Sequence, residues 1–224
     1  MIELTVLRVF VGPDGGGGNP LGVLVDGWAV DEGDRQVVAA ELGFSETVFV
    51  DNATTGAIRI FTPAAELGFA GHPTVGTSWL LRRLGVGGST LRLSVGEVPA
   101  WEADGLAWVR ANPAWIHDID VVEHATAAEV EALPVDGGPS GSTYHWAWID
   151  QPAGVLRSRY FVPALGIGED EATGAAAVMM GGRLGRPLEI RQGVGSQLLV
   201  RPGEGGWVEI GGRVEPVETR ELDL

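Results

Sequence analysis

The chain has 224 residues, 45% hydrophobic and 20% charged, with 15 Lys and Arg against 30 Asp and Glu and a net charge of −15. That length supports one large domain or two small ones with real cores, and that charge repels nucleic acid and anionic lipid, so neither is expected as a partner. With no cysteine in the chain, disulfides, thiolate metal sites and a thiol-type racemase are all excluded.

No run approaches the roughly 18 apolar residues that a membrane helix needs. The opening "MIELTVLRVF" lacks a basic segment and a small-residue cleavage site, so a cytoplasmic location is expected. The four histidines, His72, His117, His124 and His145, have no metal-ligand spacing, and no metal is expected.

In chain order, residues 2–12 alternate as a strand and "PLGVLVDG" (20–27) gives a second. "GPDGGGGNPLG" reads as a hairpin turn and not a phosphate loop, because no GK[ST] follows. "DEGDRQVVAAEL" (31–42) has acidic first-turn chemistry and a closing Gly43, which predicts a short helix. "SETVFVDN" (45–52) and "GAIRIFTP" (56–63) are strands by β-branched content. "FAGHP" reads as loop, and "TVGTSWLLRRLG" (74–85) as a helix closed by Gly85.

Residues 89–113 read as strand, turn and strand, and "TAAEVEALPV" (126–135) as a helix with Thr126 and Glu129 at capping-box spacing. "VDGGPSG" is a further turn. "STYHWAWID" (142–150) and "GVLRSRYFVP" (154–163) predict a hairpin, followed by the Gly-rich loop "ALGIGEDEATG" and the helix "AAAVMMGGRLG" (175–185). "LEIRQG", "SQLLVRPG" and "WVEIGGRVEPV" finish the chain as strands. The fold class is α+β, with one long apolar helix in each half.

The two helix mouths echo one another. His72-Pro-Thr-Val-Gly76 precedes a helix ending "RRLG", and Asp170-Glu-Ala-Thr-Gly174 precedes one ending "GRLG". If the halves face each other, both helix N-termini offer unpaired N–H groups to one cleft, a device for holding a carboxylate inside an acidic protein. Blander readings exist for each residue. His72 could cap a loop, Asp170 could cap the helix beginning near Thr173, and Glu169 and Glu171 could be solvated neighbours. Five of the eight tryptophans fall in residues 101–148, where sheet packing is the first reading and an aromatic wall beside the cleft the second. His117, His124 and His145 have no motif context.

The stretches "VFVGPDGGGGNPLGVLVDG", "LGFSETVFV", "IRIFTPAAELGFAGHPTVGTSWLL", "RSRYFVPALGIGEDEATGAAA" and "IRQGVGSQLLVRP" resemble the PhzF-like isomerases of phenazine biosynthesis, relatives of diaminopimelate epimerase in fold. The resemblance implies two pseudo-symmetric halves, residues 1–98 with 213–224 and residues 99–212. Each half is a mostly antiparallel sheet wrapped round a central helix, with the active site between them. It implies a cofactor-independent isomerase acting on a small carboxylate-bearing substrate, and a homodimer. Glu46 matches the family's general acid/base, and His72 and Asp170 match the flanking polar groups, where the epimerases keep paired cysteines. Backbone near Gly71, Thr173, Gly174 and Ala175, with Ser45, would hold the substrate's carboxylate.

Two departures stand out. "EDEATGAAA" has Glu171 and Ala175 where the family commonly has Pro and Ser, and "QGVGSQLL" lacks the usual Arg and Pro. A lost hydroxyl donor admits a second reading, a non-catalytic anion-binding protein on the same fold. In the enzymatic reading one carboxyl in a closed, partly apolar pocket has its pKa raised. It takes a proton from an activated carbon and returns it elsewhere on the same face.

Overall fold

The computed structural model describes residues 1–116, 119–134, 142–163 and 167–223. His117, the whole of the turn "VDGGPSG" and the start of "ALGIGEDEATG" lie outside the described residues. The strands are β1 (Ile2–Val11), β2 (Asn19–Leu24), β3 (Glu46–Asn52), β4 (Ala57–Phe61), β5 (Glu66–Leu67), β6 (Thr90–Leu93), β7 (Gly96–Ala103), β8 (Leu106–Ala111), β9 (Asp120–Glu123), β10 (Thr143–Asp150), β11 (Val155–Val162), β12 (Ile167–Asp170), β13 (Leu188–Gln192), β14 (Ser196–Pro202) and β15 (Val208–Leu222). The α-helices are α1 (Arg35–Leu42), α2 (Gly71–Arg83), α3 (Ala127–Glu131) and α4 (Gly174–Leu184).

Hydrogen bonding runs β1-β2-β3-β4-β6-β7-β8-β15, and β15 pairs back onto β1, closing a barrel. The path also leaves through β15 along β14-β13-β11-β10-β9. Two strands change partner along their length. Residues 96–99 of β7 pair with β6 and residues 100–103 with β8. Residues 208–212 of β15 pair with β8 and residues 213–222 with β1. The fold is mixed α+β with a closed β-barrel and few helices.

The interior of the barrel is occupied by α2, which contacts β1, β2, β3, β6, β7, β8 and β15. Residues Gly71 to Ser78, Leu80 and Leu81 are all buried, as suits a helix packed against seven strands. Gly76 sits where a Cβ would strike Leu21 and Val9, so the helix approaches β1 and β2 as only glycine allows. Leu7 and Val9 of β1 face this core, while Ile2, Leu4 and Val6 face a second cluster with Val38 and Ala39 of α1. Burial of each such side chain contributes about 1.5–3 kcal/mol, and burial on both faces explains why apolar residues also occupy positions of β1 that strict alternation would leave polar. The second long helix, α4, packs on β14 and β15 and touches α2.

Most sequence-predicted elements appear with small boundary changes. Gly43 and Gly185 are left-handed C-caps at φ 69° and 61°, and Gly85 has φ 72°. The Glu129 N–H donates to Thr126 Oγ1 at 3.2 Å, the first half of the predicted capping box, whereas the Glu129 side chain reaches one residue beyond the N-cap, Oε2 accepting from the Ala125 N–H at 3.1 Å. β10 and β11 form the predicted hairpin, His145 facing Arg159. Residues 89–113 hold three strands, not two.

One correction bears on the site. "FAGHP" is not all loop, because α2 begins at Gly71 and places His72 and Pro73 in its first turn. Proline is tolerated there because first-turn N–H groups have no intrahelical partner. Of the five tryptophans in residues 101–148, four lie on strands, Trp101 stacking on Trp108 at 6.4 Å and Trp146 meeting Trp148 edge-on at 5.2 Å, while Trp115 lies outside the strands against Phe69 and Trp207.

Candidate active site

The N-termini of α2 and α4 meet. A Cβ on Gly174 would lie 2.5 Å from the Gly71 Cα, and one on Gly71 would strike the Gly174 backbone. Both glycines are therefore required by helix-to-helix approach and not by a turn. The sequence echo paired Gly76 with Gly174, whereas the helices align Gly71 with Gly174, and hence His72 with Ala175. The half-unit of positive charge and the free N–H groups of two helix ends are directed to one place.

Glu46 opens β3 beside this junction and is only 9% exposed. Its Oε2 lies 3.4 Å from His72 Nε2, and neither atom has a well-aligned hydrogen-bond partner. Burial, then the charge of Asp170, push the Glu46 carboxyl up to about 8, with the neighbouring Ser45 hydroxyl acting in the opposite direction. His72 is 2% exposed. Burial pushes its imidazole down to about 3, against a smaller contribution from the Pro20 backbone. The pair is thus a protonated carboxyl facing a neutral ring at pH 7.

Asp170, at the end of β12, approaches from the other side. Its Oδ1 accepts from Asn19 Nδ2 at 2.6 Å and its Oδ2 from the Thr173 hydroxyl at 2.6 Å. Burial raises its pKa, and these two hydrogen bonds oppose the rise. Thr173 is the N-cap residue of α4, and neither it nor Asp170 caps a backbone N–H there. The helix-capping alternative for Asp170 is therefore not realised.

Asn19, the first residue of β2, joins the parts. Its Nδ2 also lies 3.1 Å from the Ala172 carbonyl and 3.3 Å from His72 Nδ1, and its Oδ1 accepts from Ser45 Oγ at 3.2 Å. Two N–H groups serve the closer two of three acceptors, so Asp170 and Ala172 hold the amide and His72 lies alongside. Gln192 Nε2 donates to the Asp170 carbonyl and to Thr173 Oγ1, both at 2.8 Å, and its buried Oε1 has no partner. Tyr160 stands directly across from Asp170 in the β11–β12 pairing.

Glu46, His72, Asp170, Ser45, Gly71, Thr173 and Gly174 are thereby gathered at one place, with Ala175 following Gly174 in α4. Asn19 and Gln192 are additions. The only sequence signals for them were the positions of "NP" after the Gly-rich turn and "QG" after a late strand. Glu169 and Glu171 are not solvated neighbours. Glu169 makes a two-point ion pair with Arg159 at 2.8 and 2.6 Å, and Glu171 binds the loop after β13. Among the described residues no group of three or more His, Asp and Glu side chains is placed to hold a metal ion, and no helix is long and apolar enough to cross a membrane.

Several curated relatives of this chain are named isomerases, and that is the class of protein to which the chain belongs. The trans-2,3-dihydro-3-hydroxyanthranilate isomerase of Pseudomonas fluorescens is 31% identical, over 79% of this chain and 81% of the relative. The profile of the phenazine biosynthesis-like proteins, PhzC-PhzF, matches residues 10–111. The chain belongs to that family, as the motifs implied. Among solved structures, a putative phenazine biosynthesis PhzC/PhzF protein from Clostridium difficile superposes with a TM-score of 0.77 at 18% identity, covering all of both chains. A predicted epimerase from Pseudomonas aeruginosa gives 0.73 at 24% identity, covering 99% of each. These likenesses establish the fold.

Proposed function

We propose that the chain is a cofactor-independent isomerase that moves a proton on a small carboxylate-bearing molecule, with Glu46 as its single acid/base. The observation that supports this best is the Glu46 carboxyl: buried, with Oε2 facing the neutral His72 ring, at the meeting point of two helix N-termini. A base held at about 8 is a tenth ionised near pH 7 and far stronger than an ordinary carboxylate. In its ionised form it takes a proton from a carbon acidified by a neighbouring π-system. The same carboxyl then returns that proton to another atom of the π-system on the same face, so no proton is gained or lost overall.

His72, neutral across the working range, positions and polarises through its ring nitrogens. Asp170, clamped by Asn19 and Thr173, orients the substrate's polar group. The backbone N–H groups near Gly71, Gly174 and Ala175 receive the carboxylate. Ser45 joins them only by releasing Asn19 Oδ1, to which its proton is donated. We also read the fold as two pseudo-symmetric halves, residues 1–98 with 213–224 and residues 99–212, the site lying between them. The partner changes of β15 after Gly212 and of β7 after Pro99 fall at or within a residue of those boundaries.

The test is deuterium incorporation from heavy water into cyclic and amino-acid carboxylates, beginning with trans-2,3-dihydro-3-hydroxyanthranilate, after which the Pseudomonas fluorescens relative is named. Exchange that is lost in Glu46→Gln supports the shuttle; exchange unchanged in that variant sinks it. Tight binding of a carboxylate with neither exchange nor isomerised product favours the anion-binding protein, a reading that rests on Ala175 standing where the family has a hydroxyl.

A further inference from the structure

Two glycine-bearing loops, residues 12–18 and 193–195, meet beside Asp170. Glu171 Oε1 accepts from the Val194 N–H at 2.8 Å and from the Ser196 hydroxyl at 2.9 Å. Ser196 Oγ in turn accepts from the Gly18 N–H at 2.8 Å. Gly18 precedes Asn19, whose amide holds Asp170, and Asp170 precedes Glu171. The connections therefore close a ring: Asp170, Asn19, Gly18, Ser196, Glu171 and back to Asp170.

The packing around this ring admits no side chain at two positions. A Cβ on Gly193 would strike the Glu171 carboxylate and one on Gly17 would strike the Ser196 nitrogen, and both residues have positive φ, 58° and 62°. Phe10, at φ 67° on the register shift between Val9 and Val11, turns β1 toward the first loop. A buried aromatic residue in that region is strained and persists only where its surroundings hold it.

We propose that Glu171 is a positioning residue of the site: it ties both loops to the strand end that carries Asp170, and so keeps the Asn19 amide in register with the Asp170 carboxylate. The inference rests on reading Glu46, His72 and Asp170 as the site. It gives a role to the residue that replaces the family's proline. Glu171 acts by accepting two hydrogen bonds on one carboxylate oxygen. Burial and Glu169 raise its pKa, while Ser196, Val194 and Arg157 act the other way.

The test is a titration of the full chain with its glutamate carboxyls 13C-labelled, the Glu46 resonance being identified by its loss in Glu46→Gln. Glu171→Ala and Ser196→Ala are expected to lower the Glu46 midpoint by about one pH unit, because Asp170 loses its fixed place and water reaches the cluster. Glu171→Gln keeps the acceptor oxygen and is expected to titrate with the parent. The proposal is overturned if folded Glu171→Ala and Ser196→Ala leave the midpoint in place, or if Glu171→Gln shifts as far as Glu171→Ala. Should Glu171→Ala fail to fold, the proposal is overturned if Ser196→Ala leaves the midpoint in place or if Glu171→Gln shifts as far as Ser196→Ala. The readout needs no substrate, so its failure leaves the isomerase reading standing, and a failure to find exchange leaves this one.

Discussion

Replacing Glu46 by Gln keeps the shape of the side chain and removes its ionisation. In the folded chain, burial and then Asp170 lift this carboxyl from 4.5 to about 8. Unfolding returns it to its ordinary value. Between those limits the folded state keeps a proton that the unfolded chain releases, so the parent's stability falls as pH rises through the window. The slope is at most about 1.4 kcal/mol per pH unit. Below the lower limit the contribution is complete, and above the upper limit it is lost. The Gln variant has no such titration. Even about 2 kcal/mol of this loss corresponds to about 4–8 °C in Tm for a chain of this size. The assay is Tm of parent and variant at four pH values from about 5 to about 8, at constant ionic strength. The variant-minus-parent difference should grow by at least about 4 °C toward the alkaline end. A flat difference, or a parent that gains on the variant as pH rises, refutes the reasoning, because Glu46 would then be ionised in the fold.

Two further outcomes follow from the same geometry. His72 is held down at about 3 by burial, so its contribution is complete above the ordinary 6.5 and is lost as pH falls toward the folded value. A nitrogen-15 spectrum at about pH 5 should show a neutral imidazole, since an unperturbed histidine there is charged; imidazolium shifts would contradict the buried environment. Gly174→Ala drives a methyl into the Gly71 backbone and should cost about 1–3 kcal/mol or more, read as a drop in thermal midpoint. An unchanged midpoint would mean that the helix ends do not meet.

Much of the architecture was legible because it is written in short-range chemistry. Alternation and β-branched content marked β1, β3 and β4, while Gly43, Gly85 and Gly185 marked helix ends through their tolerance of a left-handed backbone. The start of α2 was not legible. Ala70 stands at its N-cap with no side chain to cap the first turn, and Pro73 makes that turn look like loop. The echo of the two helix mouths located the right pair of helices but slipped in register, because it matched an ionisable residue at each mouth where the structure matches glycine against glycine.

The site divides in the same way. The sequence alone excluded thiol chemistry, identified the family through motifs such as "ELGFAGHPT" and "EDEATG", and singled out Glu46, His72 and Asp170. Only the tertiary structure decided their electrostatics. Glu46 is one strand-end glutamate among many acids until the barrel, α2 and the Asp170 strand enclose it, and desolvation depends on neighbours far away in the chain. Asn19 and Gln192 carry only the weak signal of their place beside a turn, since their partners are 151 and 22 residues distant. Glu171 looked like a spare surface acid and became the anchor of two loops once Val194 and Ser196 folded against it. Backbone propensity and periodicity act over a turn or a strand. The proton affinity of a buried carboxyl is set by whatever the whole chain brings within a few ångströms of it.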